Sequence, residues 1–493
     1  MKKFIIILLL SIYYLSCFSQ YRLDRKWLLG YQGNAVNPPH IIDFTFNQDS
    51  FDMSMVDMPI SYCRTAVTIS NPNTGEMEFT TNGFVVIDKS NDTMQNGAGL
   101  SPCQYQNDFI DAGNTAPQGL LAIPYPNTQN KYILFHGPTI VNSLAYNYRL
   151  QHSIIDMAEN NGLGKVVQKN ISIISDTLHQ GMITAVKHAN GRDWWIIVPR
   201  LFSDAYYKVL LTDQGIVSTE HQEINNRFLP CNATNAIFSP DGTKYVKHDP
   251  YYNICQMMDF DRCNGLFSNH HVIHLDSTEV LGGGLCFSPN SRYLYLATAL
   301  NMYQYDTYSS DLEASRVLID TFDHFSSPFP TAFHLAQLAP NRKIYWSSTN
   351  GTDVLHVINR PDSAGKACDF RQHGIALPVY ISFGVPHYPN YYLGAMVGSG
   401  CDTITTATSK PTEIANIYAY PNPTKDKVFI GGNHLGNRAI LLLVNSLGQE
   451  TYHQTWENTQ VETSISMAAF PQGIYYLRVL AEDKSFTQKI IKE

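Results

Sequence analysis

The sequence has little charge of either sign and lacks the short motifs that mark several common catalytic sites. Lysine and arginine number 34 against 42 acidic residues, so the formal net charge is −8 and the isoelectric point is about 6.1. A chain with this net negative charge does not attract the phosphates of a nucleic acid. We therefore exclude nucleic acid as the main partner. Gly-x-Ser-x-Gly, His-Glu-x-x-His and Cys-x-x-Cys do not occur. We therefore predict no catalytic residue, no metal site and no cofactor.

Long apolar runs are also missing beyond the N-terminus, so we expect no transmembrane segment. Two lysines precede the apolar run Phe4–Leu15, which is too short to span a bilayer comfortably. Cys17 and Ser19 are small residues at positions −3 and −1 of a signal-peptidase cleavage site between Ser19 and Gln20. Residues 1–19 are therefore predicted to be a secretory signal peptide. A lipoprotein signal with Cys17 as the lipidated residue is disfavoured, because the leucine of that pattern stands one position late.

What the chain does contain is aromatic residues and a strand repeat. Thirty tyrosines and 24 phenylalanines favour strands over helices. In each repeat an apolar strand ends at a turn, and a second apolar strand follows at once, which predicts a hairpin. The clear copies are Phe238–Val246, Phe287–Tyr295 and Leu338–Trp346, and a degenerate copy is His188–Trp195. Their turn residues, Asn190, Asp241, Asn290 and Asn341, follow one another at intervals of 51, 49 and 51 residues.

A single hairpin cannot bury its own faces, whereas a ring of small sheets can. Strands that repeat at this interval therefore predict an all-β fold and a β-propeller. Counting the repeats with the weaker strand patterns upstream predicts seven blades, with six and eight as alternatives. We expect the last blade to combine Ile375–Leu393 with an N-terminal strand. Mostly small residues stand five positions before each turn residue, as suits a crowded innermost strand: Ala185, Ala236, Leu285 and Ala336.

Several short motifs support a family resemblance for residues 20–394. They are, in order, Asn71–Gly75, Thr81–Gly83, Met94–Gly97, Lys187–Gly191, Asp259–Arg262 and the Phe-Ser-Pro repeats. Together they resemble the WD40-like propellers that bacteria with type IX secretion export. The resemblance implies the architecture of this domain and no particular ligand. The small and polar residues that follow, 395–416, are typical of a linker.

The last segment, residues 417–493, shows short strands separated by turns, which predicts a small immunoglobulin-like β-sandwich. Its motifs match, in order, the type A C-terminal sorting domain of type IX secretion. The matching residues are Tyr420, Pro421, Asn422, Pro423, Gly448, Gly473, Tyr475, Lys489 and Lys492. The resemblance implies that a type IX translocon and a sortase are partners. It also implies that the protein passes through the periplasm and is secreted or held on the outer cell surface.

Cysteine usage agrees with an exported protein. Removal of the signal peptide leaves an even number of cysteines, which permits disulfides without deciding their pairing. One conceivable pairing ties the cysteine in the linker back to the propeller. The cysteines are Cys63, Cys103, Cys231, Cys255, Cys263, Cys286, Cys368 and Cys401.

Three pairs of polar or aromatic residues could have a functional role, but an ordinary structural role explains each of them better. His270 and His274 share a strand face and could form a metal pair, but polar residues on an outer strand are favoured. Asp259 and Asp261 could bind calcium, but a hairpin turn is favoured. The adjacent pair Trp194 and Trp195 is better explained by packing between blades than by sugar binding.

The three successive glycines Gly282–Gly284 do not form a phosphate loop, since no helix with a following lysine begins there. We expect them to let the chain approach the axis of the propeller closely.

Ligands of a propeller meet the loops and strand starts around its central channel. Arg64, Asn235 and His334 lie near such starts and are predicted to border the channel mouth. Two functions from different classes follow. The first is a non-enzymatic binding or adhesion module for an extracellular ligand, either a glycan or a protein. The second is a secreted hydrolase or lyase acting on glycans or lactones, which would need two or three carboxylates in the channel.

Overall fold

The computed structural model describes residues 23–30, 40–225, 235–250, 254–275, 282–402, 412–413, 417–432, 438–445, 450–457, 462–481 and 484–493. The predicted signal peptide with its cleavage site, Cys231 and Gly448 lie outside these residues. Within them, the helical elements are α1 (Gln104–Asp108) and two short 3₁₀ turns, Asn160–Gly162 and Gly365–Cys368. All other regular structure there is β-strand, which confirms the all-β prediction. The chain forms two compact units that divide after Asp402.

The first half of unit one is built from antiparallel meanders. Its strands are β1 (Lys26–Leu29), β2 (His40–Phe46), β3 (Phe51–Asp57), β4 (Val67–Ser70), β5 (Met77–Thr81), β6 (Val85–Asp88), β7 (Thr93–Ala98), β8 (Leu120–Pro124), β9 (Lys131–His136), β10 (Thr139–Val141), β11 (Ala145–Asn147), β12 (Leu150–Asp156), β13 (Lys165–Ile174) and β14 (Leu178–His179). β1–β3, β4–β7 and the set β8, β9, β12 and β13 each form one meander. A parallel bridge between Gln95 and Lys165 joins the outer strands of the second and third meanders into one eight-stranded sheet. β10, β11 and β14 form a further small sheet.

Four consecutive four-stranded meanders make up the second half, as the repeats predict. Their strands are β15 (Thr184–Lys187), β16 (Trp194–Pro199), β17 (Ala205–Thr212), β18 (Gly215–Glu223), β19 (Ala236–Phe238), β20 (Lys244–Asp249), β21 (Ile254–Asp261), β22 (Leu266–His274), β23 (Gly284–Phe287), β24 (Tyr293–Ala297), β25 (Asn301–Asp306), β26 (Val317–Thr321), β27 (Phe333–Leu338), β28 (Ile344–Ser348), β29 (Thr352–Ile358) and β30 (Phe370–Ile381). The repeated segment supplies the turn between the first and second strands. One backbone hydrogen bond recurs in this turn: Ser239 N donates to Lys244 O at 2.8 Å, and Ser288 N donates to Tyr293 O at 2.8 Å.

The first strands of these sheets lie side by side and form a ring. β1 contacts β4, β4 contacts β8, and β15, β19, β23 and β27 contact one another in sequence. The chain entering β15 is tied to the chain entering β8, because Ile183 N donates to Gln118 O at 3.3 Å. The small residues Ala185, Ala236 and Ala336 are buried on these strands. Counted over the described residues, seven meander sheets follow one another in this way, and the predicted β-propeller is confirmed.

The ring closes between the N-terminal sheet and the last meander. The Trp27 ring lies 4.7 Å from Phe46, 5.9 Å from Tyr345 of β28 and 6.3 Å from Tyr388, measured between centroids. The Tyr388 hydroxyl accepts from Thr68 N at 3.1 Å and lies 3.3 Å from the carbonyl oxygen of Lys26. Tyr388 therefore links the N-terminal strand β1 to β4 and fixes both to the segment that follows the last sheet.

The structure corrects the assignment of Ile375–Leu393 to the last blade. Its first part, Ile375–Ile381, continues β30 and pairs with β29 as the outer strand of the fourth meander in this half. An outer strand tolerates a glycine and a proline such as Gly374 and Pro378, because one edge needs no ladder hydrogen bonds. The remainder has no strand of its own and lies against β1 and β4, as the contacts of Tyr388 show.

A disulfide joins Cys263 to Cys401, whose Cα atoms lie 5.5 Å apart across a sequence separation of 138 residues. The chain before Cys401 also lies on the propeller, since Met396 N donates to Ala189 O at 2.7 Å and Arg262 Nη2 donates to Gly394 O at 2.6 Å. The conceivable bridge from the linker to the propeller is therefore present. The free cysteines of the described residues are Cys63, Cys103, Cys255, Cys286 and Cys368.

The second unit is a small two-sheet sandwich, as predicted. Its strands are β31 (Thr412–Glu413), β32 (Ile417–Tyr420), β33 (Lys427–Gly432), β34 (Ala439–Asn445), β35 (Glu450–Trp456), β36 (Thr463–Ser466), β37 (Gly473–Ala481) and β38 (Lys484–Lys492). One sheet has the order β31-β38-β37-β34-β35 and the other β32-β33-β36. Alternation along β37 buries Tyr475, Leu477 and Val479 and leaves their neighbours exposed. This alternation is expected of a strand with one face on a core.

Candidate functional site

The three predicted channel residues lie where the first strands begin. Arg64 stands three residues before β4, Asn235 immediately precedes β19, and His334 is the second residue of β27. Arg64 is close enough to His334 for its positive charge to contribute to a lowered pKa of that imidazole. Asn235 Nδ2 donates to the Leu285 carbonyl oxygen of the neighbouring first strand at 3.1 Å. The structure also adds a residue that the sequence analysis missed, His248 of β20, whose backbone N donates to Asn235 O at 3.2 Å.

Two glycines bring the backbone of β23 against these histidines. A Cβ atom at Gly283, where φ is +94°, would lie 2.9 Å from Cε1 of His248. A Cβ atom at Gly284 would collide with the backbone of His334. Both positions therefore require glycine, because the backbone here lies close to the neighbouring chain. His248 and His334 therefore both lie against the start of β23, His248 beside Gly283 and His334 beside Gly284.

The two histidines are buried and neutral. His248 is 1% exposed and His334 is 2% exposed. Burial lowers the pKa of the His248 imidazole to about 3, and the pKa of His334 is likewise lowered to about 3, first by burial and then by the nearby groups Arg64 and His248. The carbonyl of Gly283 opposes this shift for His334 without forming a hydrogen bond that meets normal geometry. Within the described structure, neither ring nitrogen of either histidine has a hydrogen-bond partner. Buried polar groups without a protein partner are costly, because they lose their hydrogen bonds to water on folding.

A cavity of about 320 Å³ lies at the other ends of the first strands. The turns of the repeats form its wall and bring Pro240, Pro289 and Pro340 to one place. Ala336 and Cys286 lie deeper in the wall, and burial raises the pKa of the Cys286 thiol to about 12. The cavity is therefore lined largely by apolar groups, and its size falls in the range of small-molecule sites.

The segment of residues 383–393, here called the central segment, forms the rest of the cavity wall. His387 lies midway, with its Nδ1 atom 2.9 Å from the Gln118 amide nitrogen, and burial lowers its pKa to about 3. Asn390 Nδ2 donates to Pro240 O at 2.7 Å, and Tyr392 OH donates to Asp24 Oδ1 at 2.6 Å. These polar side chains already have protein partners. Asp24 is the one carboxylate among the residues that line this cavity.

The other polar groups singled out from the sequence occupy structural positions. His270, His271 and His274 lie on the outer strand β22, and His271 and His274 are exposed. Asp259 pairs with Lys244 at 2.8 Å, whereas Asp261 accepts from Cys263 N at the hairpin turn. Among the residues that the structure describes, no group of three or more His, Cys, Asp or Glu side chains is arranged to hold a metal ion.

The tryptophan pair packs between sheets, as the favoured interpretation has it. Trp194 is fully buried and lies edge-on to Tyr391, with ring centroids 6.2 Å apart. Trp195 is 5% exposed, and its Nε1 donates to the Arg262 carbonyl oxygen at 2.9 Å. Neither ring offers a free face for a sugar.

In the second unit, the Tyr-Pro-Asn-Pro motif fixes the final strand. The Asn422 side chain accepts from Ile491 N at 2.8 Å and donates to the Lys489 carbonyl oxygen, so its amide pairs with the backbone of β38. Tyr420 OH donates to Glu462 at 2.8 Å, and the prolines of the motif are exposed. The motif therefore acts as a clasp that holds the C-terminal strand in the sandwich.

The other motif residues in this unit lie on β37 and β38. Gly473 begins β37 opposite Lys492, and Lys489 is exposed opposite Tyr476. Tyr475 is buried, and its hydroxyl donates to the Pro471 carbonyl oxygen at 2.9 Å. The last two strands thus combine a buried core residue, Tyr475, with an exposed lysine, Lys489.

Solved structures offer distant likenesses. A candidate 6-phosphogluconolactonase from Bacteroides fragilis is 12% identical with a TM-score of 0.43, covering 74% of this chain and 98% of that one. A protein of unknown function from Desulfotomaculum acetoxidans is 12% identical with a TM-score of 0.40, covering 74% and 99%. The periplasmic gluconolactonase of Pseudomonas aeruginosa is 13% identical with a TM-score of 0.38, covering 73% and 97%. No curated protein matches the chain.

A family comparison is sharper for the second unit. Residues 418–493 match the family described as the secretion system C-terminal sorting domain. Over the described part of the chain, no helix is long and apolar enough to cross a membrane. Residues 418–493 are therefore a type IX secretion C-terminal sorting domain, and the chain that carries it is exported to the cell surface or secreted.

Proposed function

We propose that this protein is an exported binding module whose propeller recognises an extracellular ligand in its central channel without transforming it. The observation that carries the proposal is the cavity of about 320 Å³, which is formed by the repeated turns and the central segment. Its prolines and alanines offer apolar contact area. Most of its polar groups are held by the protein, which gives the wall a fixed shape.

The distribution of carboxylates favours binding over glycan hydrolysis. Glycosidases usually place two carboxylates about 5 to 10 Å apart across the bond that they cleave. The cavity lining contributes Asp24 alone, and Tyr392 already donates a hydrogen bond to it. A secreted hydrolase or lyase acting on glycans or lactones is the alternative outcome of the test below.

The export route completes the proposal. Residues 1–19 would direct the chain to the periplasm and be removed between Ser19 and Gln20. The translocon would then recognise residues 417–493, and a sortase would cut in the linker of residues 395–416. A cut after Cys401 leaves the disulfide to Cys263 intact and so keeps the linker stub on the propeller. The delivered part is then residues 20–394 with that stub.

A glycan array and a protein array, probed with the exported chain, test binding, and a panel of polysaccharides and lactones tests turnover. Ala336→Leu projects extra methyl groups into the cavity and should abolish binding to whatever ligand the arrays reveal, because overfilling displaces it. Ala376→Leu changes an exposed alanine in the same way and serves as the matched control. Turnover of any substrate in the panel would overturn the proposal, as would equal binding by both variants.

A further inference from the structure

The end of the channel that faces away from the cavity presents three polar groups with unused hydrogen-bonding capacity. Arg64, His248 and His334 come from the entrance to β4, from β20 and from β27. Both histidines are at least nine-tenths buried, and no ring nitrogen of theirs is hydrogen-bonded in the described part of the chain. Native proteins pair the great majority of such buried polar atoms. Two adjacent exceptions, next to an arginine with a free edge, point to a ligand.

One edge of the Arg64 guanidinium is held and the other is available. Nη1 donates to the Thr115 carbonyl oxygen at 3.3 Å, and the guanidinium carbon lies 5.0 Å from the centre of the Phe383 ring. These two contacts fix the plane of the group. Nε is buried and has no hydrogen-bond partner among the described residues. The edge formed by Nε and Nη2 is the one that binds a carboxylate through two parallel hydrogen bonds.

The two histidines suit a small acceptor group. A neutral imidazole carries one N–H donor and one acceptor nitrogen, so each ring can turn a donor toward an anion without bringing a charge. The backbone at Gly283 lies so close to His248 that a Cβ atom there would come within 2.9 Å of Cε1, so this side of the ring has no room for a further group. The donors at this end are therefore one guanidinium edge and two imidazole N–H groups.

The charge of the site selects among anions. Arg64 supplies a single positive charge, and the ionisable neighbours that lower the pKa of His334 are Arg64 and His248, with no carboxylate among them. A carboxylate carries one negative charge and leaves the buried site neutral. Phosphate or sulfate would bring a second charge without a partner, which is costly in a desolvated position. Planar geometry and single charge both favour a carboxylate.

We propose that Arg64, His248 and His334 form a binding site for a carboxylate group of the ligand, such as that of a uronic acid residue. The Arg64 Nε and Nη2 atoms would bind the two oxygens, and the imidazoles would donate from the sides. The inference rests on the proposed binding function but places a second, chemically defined contact at the end of the channel that faces away from the cavity.

The test uses the full exported chain and isothermal titration calorimetry with four probes: sodium glucuronate, sodium acetate, methyl glucoside and inorganic phosphate. We expect glucuronate and acetate to bind and the neutral glucoside and phosphate not to bind. Arg64→Gln removes the charge and the donor edge and should weaken glucuronate binding roughly tenfold to hundredfold. Arg64→Lys keeps the positive charge but lacks the two-donor edge, so its affinity for glucuronate should lie between those of the unaltered chain and Arg64→Gln. His334→Phe removes one donor at similar volume and should weaken binding roughly tenfold.

Arg360→Gln is the matched control, because Arg360 is an exposed arginine outside both the cavity lining and the carboxylate site, and its change in charge is the same. It should leave glucuronate affinity unchanged. Circular dichroism checks that each variant is folded. If Arg64→Gln does not fold, Arg64→Lys and His334→Phe still test the inference. Failure of both carboxylates to bind would overturn the inference. Binding of phosphate as tight as that of glucuronate would also overturn it, as would a loss of affinity in Arg360→Gln without one in Arg64→Gln.

The outcomes separate this inference from the proposed function. If array binding is lost in Ala336→Leu but retained in Arg64→Gln, the proposed binding function is supported and the carboxylate site is contradicted. Turnover of a substrate by the unaltered chain would instead remove the binding module, whatever the calorimetry shows.

Discussion

The disulfide between Cys263 and Cys401 offers a quantitative test of how the chain after the last sheet is held. Cys401→Ser removes a cross-link over a sequence separation of 138 residues. Loop-closure entropy for a loop of this length corresponds to about 5 kcal/mol, and measured disulfides usually contribute about 2 to 4 kcal/mol. We therefore expect the free energy of unfolding of the first unit to fall by about 3 to 5 kcal/mol.

Thermal unfolding measures this loss. A unit of about 380 residues has an unfolding entropy of roughly 0.8 kcal/mol per kelvin near its midpoint, so the change corresponds to a Tm lower by about 4 to 6 °C. Dithiothreitol should lower the Tm of the unaltered chain by a similar amount and leave Cys401→Ser unchanged. Cys103→Ser is the control, since Cys103 is a half-buried free thiol. An unaltered Tm in Cys401→Ser, or equal sensitivity of both chains to the reductant, would refute the reasoning.

Three further predictions concern single side chains. Tyr388→Phe removes a buried hydroxyl that is hydrogen-bonded to Thr68 of β4 and to Lys26 O of β1, so chemical denaturation should show a loss of about 1 to 3 kcal/mol, whereas the exposed Tyr308→Phe should show none. Cys286, with a pKa of about 12, should react with iodoacetamide at pH 8 roughly a thousandfold more slowly than an ordinary thiol, as peptide mass mapping would show; equal rates would contradict its burial. Asn422→Ala opens the clasp on the last strand and should destabilise the isolated second unit by about 1 to 2 kcal/mol in urea unfolding, whereas the exposed Gln472→Ala should have no effect.

The architecture could be predicted because its signals are local and repeated. A proline or asparagine turn between two apolar strands fixes a hairpin whatever surrounds it, and the even interval of the copies indicates how hairpins stack. Ala185, Ala236 and Ala336 could be placed on first strands for the same reason, because their offset from each turn is constant. The sandwich and its motif residues followed from alternation and from a sharp family resemblance.

The site could be predicted only in part, because it depends on contacts between distant segments. Arg64, Asn235 and His334 are close to strand starts in the sequence, and the structure places them there. His248 was missed although a signal exists: it shares a strand face with Val246, which is buried against the next sheet. Alternation along the strand after the repeated turn would therefore have placed His248 beside its neighbours.

The central segment and the disulfide lie beyond any local rule. Residues 383–393 have no regular pattern, and their position depends on single contacts such as that of Tyr388 with Thr68, 320 residues earlier. Pairing of Cys263 with Cys401 likewise needs a path that brings the linker back to the propeller. Neither contact can be predicted from the spacing of residues in the sequence.

The central claim is that a ligand-binding ring is delivered outside the cell by a separate C-terminal domain. Protease accessibility on intact cells tests it most directly, with the full chain compared with a chain that lacks residues 418–493. We predict that external protease digests the full chain and spares the truncated one, which stays folded in the periplasm. Equal digestion of both chains on intact cells would contradict the account.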